Sequence, residues 1–257
     1  MLSREQTLFY EENGFLILEN FISASDIGLL KNQIQKLSKS VSHLEEMSVF
    51  KTGADRQLKD RYFLESGNKI RFFLEENSQD FNKCGHALHE LDPVFSGFSK
   101  SEKIQAVLRD LGLMNPYIAQ SMYIFKKAGV GGAVDWHQDA TFLYTEPNTL
   151  LGLWFALDEA SRENGCLWAI PGGHRGPLRS RFRRVGEGEL GFTHFDKPEF
   201  EIEKAVPIEV SQGSLVILHS LLPHMSEPNR SSLSRHAYTL HVFDRSSSYA
   251  GDNWLSV

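Results

Sequence analysis

Near residue 115 the sequence changes character, and that change limits the folds open to this chain. Residues 118–126 alternate apolar with polar and are rich in β-branched and aromatic side chains. Further short apolar runs follow at 150–157, 166–170, 206–210, 215–219 and 237–243. Turn signals separate them: Glu163-Asn164-Gly165, Pro171-Gly172-Gly173 and Ser211-Gln212-Gly213. Short strands punctuated in this way build a β sandwich or barrel. The segment 172–205 carries no such pattern, and we read it as a loop or excursion.

The first 114 residues follow a different rule. Residues 3–13 read as a helix stopped by Asn13-Gly14, and 15–18 as a short strand. Ser23 with Asp26 opens a second helix over 24–40, where Ile27, Leu30, Ile34 and Leu37 recur at helical spacing. Residues 41–68 are polar and irregular, and 69–74 fit a strand. Residues 101–111 form a third helical pattern, with Ile104, Val107, Leu108 and Leu111 on one face and Gly112 as its stop. Together these patterns predict one domain over 1–257, with a mostly helical N-terminal layer (1–114) and a β core (115–257).

Composition narrows the function classes. Twenty-seven Lys and Arg against 33 Asp and Glu leave a net charge of −6, which argues against a nucleic-acid partner. Two cysteines, Cys84 and Cys166, exclude a disulfide scaffold and a Cys-rich zinc module, and they fit a reducing compartment. No apolar run approaches the ~20 residues of a membrane span. The opening stretch has no apolar signal region, and NWLSV is not a peroxisomal address. We therefore expect a cytoplasmic protein with no membrane partner. The sequence specifies no oligomeric state.

His-x-Asp/Glu lets neighbouring side chains grip one metal, and it occurs three times: His43-Leu-Glu45, His137-Gln-Asp139 and His194-Phe-Asp196. Spacing alone does not choose among them. His43 lies in the polar segment and His194 in the patternless one, so both read as solvated surface residues. His137 follows a β stretch and the glycine-rich turn 129–132, with Trp136, Phe142 and Tyr144 around it, as at the mouth of a β barrel. Two histidines and one carboxylate leave three positions open on Fe(II). The second histidine would come from His219, His224, His236 or His241. Arg235, 11 residues after His224, could grip a carboxylate in a bidentate pair.

At this point His137-Gln138-Asp139, His224-Met225-Ser226 and Arg235 resemble the phytanoyl-CoA dioxygenase family of Fe(II)/2-oxoglutarate oxygenases. SGNKIRFFLEE (66–76), NKCGHALHELDPVF (82–95), QSMYIFK (120–126), WHQDATFLYTEP (136–147), NGCLWAIPGGH (164–174) and RHAYTLH (235–241) are similar to its short branch, the domain-containing protein 1 type. The resemblance implies a double-stranded β-helix of jelly-roll type, with N-terminal helices on one face. It implies Fe(II) held by His137, Asp139 and His224, the first two at the end of one strand. It also implies 2-oxoglutarate paired with Arg235 and Ser226, with Lys83, Met122 and Trp154 as further cosubstrate contacts. His219 matches a position that is not a ligand.

Halogenating relatives lack the carboxylate, so Asp139 implies a hydroxylase that uses O₂, releases succinate and CO₂, and oxidises a small organic substrate. A non-catalytic 2-oxoglutarate- or metal-binding barrel is the alternative, and a cupin-like metalloenzyme independent of 2-oxoglutarate is a third. HRGPLRSRFRR, with Arg175, Arg179, Arg181, Arg183 and Arg184, reads either as a solvated loop or as a basic lid for an anionic substrate.

Overall fold

The computed structural model describes residues 2–41, 47–50, 58, 60–186 and 189–257. Its helices are α1 (Arg4–Asn13), α2 (Ala24–Lys39), α3 (Arg61–Leu64), α4 (Leu88–Leu91), α5 (Pro93–Ser99) and α6 (Glu102–Asp110). The strands begin with β1 (Phe15–Leu18), β2 (Ile70–Leu74), β3 (Phe81–His86), β4 (Pro116–Ile124) and β5 (Val134–His137). Next come β6 (Thr145–Glu146), β7 (Leu151–Ala156), β8 (Leu167–Ala169), β9 (Ser180–Gly186) and β10 (Glu189–His194). The last are β11 (Val206–Ile208), β12 (Leu215–His219), β13 (His224–Ser226), β14 (Ala237–Asp244) and β15 (Ser248–Tyr249).

Local chemistry sets the helix ends. Ser3 accepts from the Gln6 N–H at 3.1 Å, and the Gln6 side chain reaches back to the Ser3 N–H at 2.8 Å. Gly14 closes α1 at φ +78°, where a side chain would be strained. Ser23 caps α2 through the Asp26 N–H.

The strands form a seven-stranded sheet, β1-β12-β7-β14-β4-β3-β2, facing a four-stranded sheet, β11-β8-β13-β5. All their pairings are antiparallel. This is a double-stranded β-helix, and among the described residues its two sheets face each other without closing into a barrel. Alternation along the central strands makes the layers. Leu153 and Phe155 of β7, Tyr238, Leu240 and Val242 of β14, and Leu215 and Ile217 of β12 point outward. There they bury against Ile27, Leu30 and Ile34 of α2, Phe95 of α5, and Ile104, Val107 and Leu108 of α6. The N-terminal helices therefore cover one face of the large sheet, as expected. The alternate residues Trp154, Ala156, Val216, Leu218 and Ala237 point between the sheets, against Leu167 and Ala169 of β8.

Two expectations need correction. Segment 172–205 is not a loop throughout: β9 and β10 form an antiparallel hairpin in it. The hairpin's buried and half-buried apolar residues are Phe182, Leu190 and Phe192, and arginine, glycine and polar residues hold most of the other positions, so only a weak apolar alternation marks it. Strand β3 was not expected either. Its sequence, FNKCGH, has no β-branched residue, and its pairing with β2 and β4 comes from tertiary context.

Candidate active site

His137 ends β5 and His224 begins β13, and the two are directly opposed in the antiparallel register. Their ring centroids lie 4.2 Å apart. Asp139 does not share the strand of His137, contrary to expectation. The chain turns after β5 into a 3-10 turn, Asp139–Thr141, which brings the carboxylate up to the Nε2 atoms of both rings. Asp139 Oδ1 is 3.7 Å from His137 Nε2 and 3.6 Å from His224 Nε2. One donor atom from each of the three residues falls within 4.8 Å of the others.

The hydrogen bonds decide which ring nitrogen is free. His137 Nδ1 sits 2.8 Å from the Asp135 carbonyl, and His224 Nδ1 2.9 Å from the Leu222 carbonyl. A carbonyl only accepts, so each Nδ1 carries a proton and each Nε2 is the ring nitrogen that faces Asp139. Burial, and next to it His224, hold His137 down to about 4. Burial pushes Asp139 up, but His241, His224 and His137 outweigh it and hold the carboxyl below its ordinary range. At neutral pH the site thus presents a carboxylate and an imidazole with its lone pair bare. That donor set, two imidazoles and one carboxylate, fits a first-row divalent metal with open positions, Fe(II) among them.

Two residues that the sequence reading did not select shape this centre. His241, weighed there as a possible ligand, belongs to the inward series Ala237, Thr239, His241 of β14, and its Nε2 lies 3.3 Å from Asp139 Oδ1. Gly152 of β7 pairs with His241 and Leu218. A Cβ at Gly152 would lie 2.7 Å from Asp139 Oδ2, so only glycine leaves the carboxylate its place. Gly152→Ala is expected to keep the fold and weaken Fe(II) or Mn(II) binding by about 10- to 100-fold, the usual effect of disturbing a ligand's support. Calorimetric metal titration checks it.

The triad opens into a cavity of about 1050 Å³, and Lys83, Met122, Trp154, Ser226 and Arg235 all line it. Register explains the convergence: Met122 pairs with Thr239, and Thr239 with Trp154, so the three form one inward row across β4, β14 and β7. Arg235 is 1% exposed, yet its Nε and Nη1 have no hydrogen-bond partner among the described residues. Its guanidinium lies 5.1 Å from the Trp154 ring centroid, and burial holds it down to about 10. Lys83 Nζ lies 3.4 Å from the Phe50 ring centroid and 3.8 Å from Met122 Sδ, and burial holds it down to about 7. Ser226 Oγ accepts from Lys126 Nζ at 2.8 Å.

Part of the cavity wall is aromatic. Phe142 of the turn after β5, Phe182 of β9 and Phe192 of β10 line it, with successive centroid separations of 5.7 and 4.8 Å. The five arginines of this region are committed to internal acceptors. Arg181 and Arg183 bind the Asp252 carboxylate at 2.7 and 3.1 Å. Arg184 donates to the Trp254 carbonyl, Arg179 to the Pro198 carbonyl and Arg175 to the Glu11 carbonyl. Arg181, Arg183 and Arg184 fasten the hairpin to the C-terminal segment, so of the two readings offered for these arginines the basic anion lid is not favoured.

The other histidines weighed in the sequence lie outside the metal centre. His194 is an exposed residue on the cavity rim. His219 sits outside the cavity, accepting the Leu221 N–H on Nδ1 and lying 5.0 Å from the His174 ring. His236 bonds the Tyr123 hydroxyl. His43 and Glu45 lie outside the described residues.

Comparison with known proteins gives the lineage. The phytanoyl-CoA dioxygenase family model matches residues 10–237. The chain belongs to the phytanoyl-CoA dioxygenase family. Phytanoyl-CoA dioxygenase 1 of Oryza sativa subsp. japonica is 41% identical, over 99% of this chain and 94% of its own. Phytanoyl-CoA dioxygenase domain-containing protein 1 of Bos taurus is 42% identical, over 99% of this chain and 94% of its own. Among solved structures, EctD from S. alaskensis with 2-oxoglutarate and 5-hydroxyectoine superposes at a TM-score of 0.69 and 19% identity, covering 97% of this chain and 78% of that one. The epimerase SnoN with Fe³⁺, alpha ketoglutarate and nogalamycin RO gives 0.71 at 15% identity, covering 98% and 88%. At these identities the solved structures speak for the fold of this family member.

Proposed function

We propose that this family member is an Fe(II)- and 2-oxoglutarate-dependent oxygenase that hydroxylates a small organic substrate. One observation carries the reading furthest: a fully buried guanidinium with two unpartnered nitrogens shares a cavity with two histidines and a carboxylate poised for a metal. An ion that is buried and unpaired is costly unless an anion completes it, and a dicarboxylate that also chelates the metal does so.

In this reading His137, Asp139 and His224 hold the iron. Arg235 and the Ser226 hydroxyl bind the distal carboxylate of 2-oxoglutarate, with Lys83, Met122 and Trp154 completing its walls. Iron with 2-oxoglutarate supplies the activation of O₂: one oxygen atom goes to the cosubstrate, which leaves as succinate and CO₂, and the other becomes the substrate's hydroxyl. The residues of this chain orient the reactants and exclude water from them. Phe142, Phe182 and Phe192 present an apolar wall to the substrate. Buried, unpaired Cys84 and Cys166 favour a reducing compartment such as the cytoplasm. No helix among the described residues is long and apolar enough to cross a membrane.

The test is succinate formation from 2-oxoglutarate with Fe(II), ascorbate and O₂, first without substrate and then across a panel of small organic compounds. Slow iron-dependent succinate, quickened by one class of compound, is expected. No succinate, together with no binding of 2-oxoglutarate to the iron-loaded protein under argon, would overturn the reading.

A further inference from the structure

We propose that Lys126 is a positioning residue for the cosubstrate's distal carboxylate: it turns the Ser226 hydroxyl proton into the pocket and fixes the main chain of Arg235. The inference rests on the oxygenase reading above.

Lys126 lies two residues beyond β4 and is 2% exposed. Its φ is +34°, in a region that L side chains other than Asn and Asp seldom occupy. The surroundings are shaped to hold it there. A Cβ on Gly131 would come within 2.8 Å of the Lys126 main chain, and one on Gly165 within 2.7 Å of Lys126 Cε. Two glycines thus clear the path of this backbone and this side chain.

What the side chain reaches is specific. Lys126 Nζ donates to the Gly132 carbonyl and to Ser226 Oγ, both at 2.8 Å. The Gly132 N–H in turn donates to the Glu75 carboxylate at 3.2 Å. The Lys126 carbonyl accepts the Arg235 N–H at 3.1 Å and the Asn229 side-chain amide at 2.9 Å.

A serine hydroxyl has one proton and two lone pairs. The amine of Lys126 takes a lone pair, so the Ser226 proton must point away from Lys126. Ser226 and Arg235 line the same cavity, so that proton is available to the anion that Arg235 binds. Lys126 does so as an ammonium, which has donors only; a neutral amine carries a lone pair of its own and would leave the Ser226 proton a choice. Without the ammonium, the Ser226 proton is no longer held away from the space that Lys126 vacates.

The experiment titrates two 2-oxo acids into the Mn(II)-loaded protein by calorimetry. One is 2-oxoglutarate; the other is 2-oxovalerate, with a methyl in place of the distal carboxylate. Wild type, Lys126→Met, Ser226→Ala and the double variant are compared. Each single change should raise the Kd for 2-oxoglutarate about tenfold, the size expected for one hydrogen bond to a charged group. The double variant should be little worse than the worse single one, because both remove the same donor. The Kd for 2-oxovalerate should be the same in all four proteins. Lys126→Gln, which keeps one donor group at shorter reach, serves in the same comparison if Lys126→Met does not fold. Multiplying effects in the double variant, or equal loss for both acids, would overturn the assignment. So would unchanged 2-oxoglutarate binding in Lys126→Met. A wild type that binds neither acid would instead fail the oxygenase reading, and this assignment with it.

Discussion

Arg235→Met is expected to cost about 10²- to 10³-fold in 2-oxoglutarate affinity while leaving the ligand-free protein at least as stable as the wild type. The two halves have one cause. Arg235 is buried with Nε and Nη1 unpartnered among the described residues, and its guanidinium lies over the Trp154 ring. Removing an ion from water costs several kcal/mol, which an aromatic face offsets only in part. Methionine of similar length fills the space without that cost. With the dicarboxylate bound the balance reverses. Truncating one partner of a buried, hydrogen-bonded charge pair costs roughly 2–5 kcal/mol, largely because the other charge is left unpaired. Calorimetry on the Mn(II) form measures the first effect and thermal unfolding without ligand the second. A Kd within about fivefold of wild type would show that the distal carboxylate binds elsewhere. A large loss of stability would show that Arg235 serves the fold rather than the ligand.

The same residue shows how far the sequence could be read. Arg235 was legible because its place after His224 agrees with a family pattern, and the structure buries it in the cavity that the triad lines. The strands were legible because the central sheet is sandwiched between helices and the opposing sheet, so both of its faces are apolar and β7 and β12 read as short apolar runs. The hairpin of β9 and β10 was not, because its few buried or half-buried apolar residues, Phe182, Leu190 and Phe192, stand among arginines that answer Asp252.

Lys126 was hidden for a different reason. Lys126-Lys127 at a strand end looks like a solvated pair, and nothing local distinguishes the buried amine from its neighbour, which is paired with Asp80 at the surface. Its role depends on Ser226, 100 residues away. Gly152 lies in the run LLGLWFA, where a glycine would be taken as a weak point of a strand. Its purpose depends on Asp139, which reaches it only after the turn that ends β5. Residues whose chemistry is their own were visible, and those that act by making room for another or orienting it were not.

The larger effect should come from Asp139. Asp139→Ala removes one of three donors and the one carboxylate among them, so Fe(II) affinity should fall by more than about 100-fold and succinate formation to background. The fold should survive, since Asp139 sits in a turn and the sheet contacts around it are made by Leu218, Trp154 and their neighbours. Asp139→Glu is the sharper experiment, because it keeps the carboxylate and the charge. In the wild type, one carboxylate oxygen lies 2.7 Å from the point where a Cβ on Gly152 would stand, and the other 3.3 Å from His241 Nε2. The carboxylate is thus wedged between β7 and β14, and a side chain one methylene longer must push the strands apart or swing away from the histidine rings. Glutamate should therefore be nearly as damaging as alanine in metal titration and succinate assays. If Asp139→Glu instead kept wild-type metal affinity, the metal would be held by charge alone, and the tight seat formed by Gly152 and His241 would have no part in it.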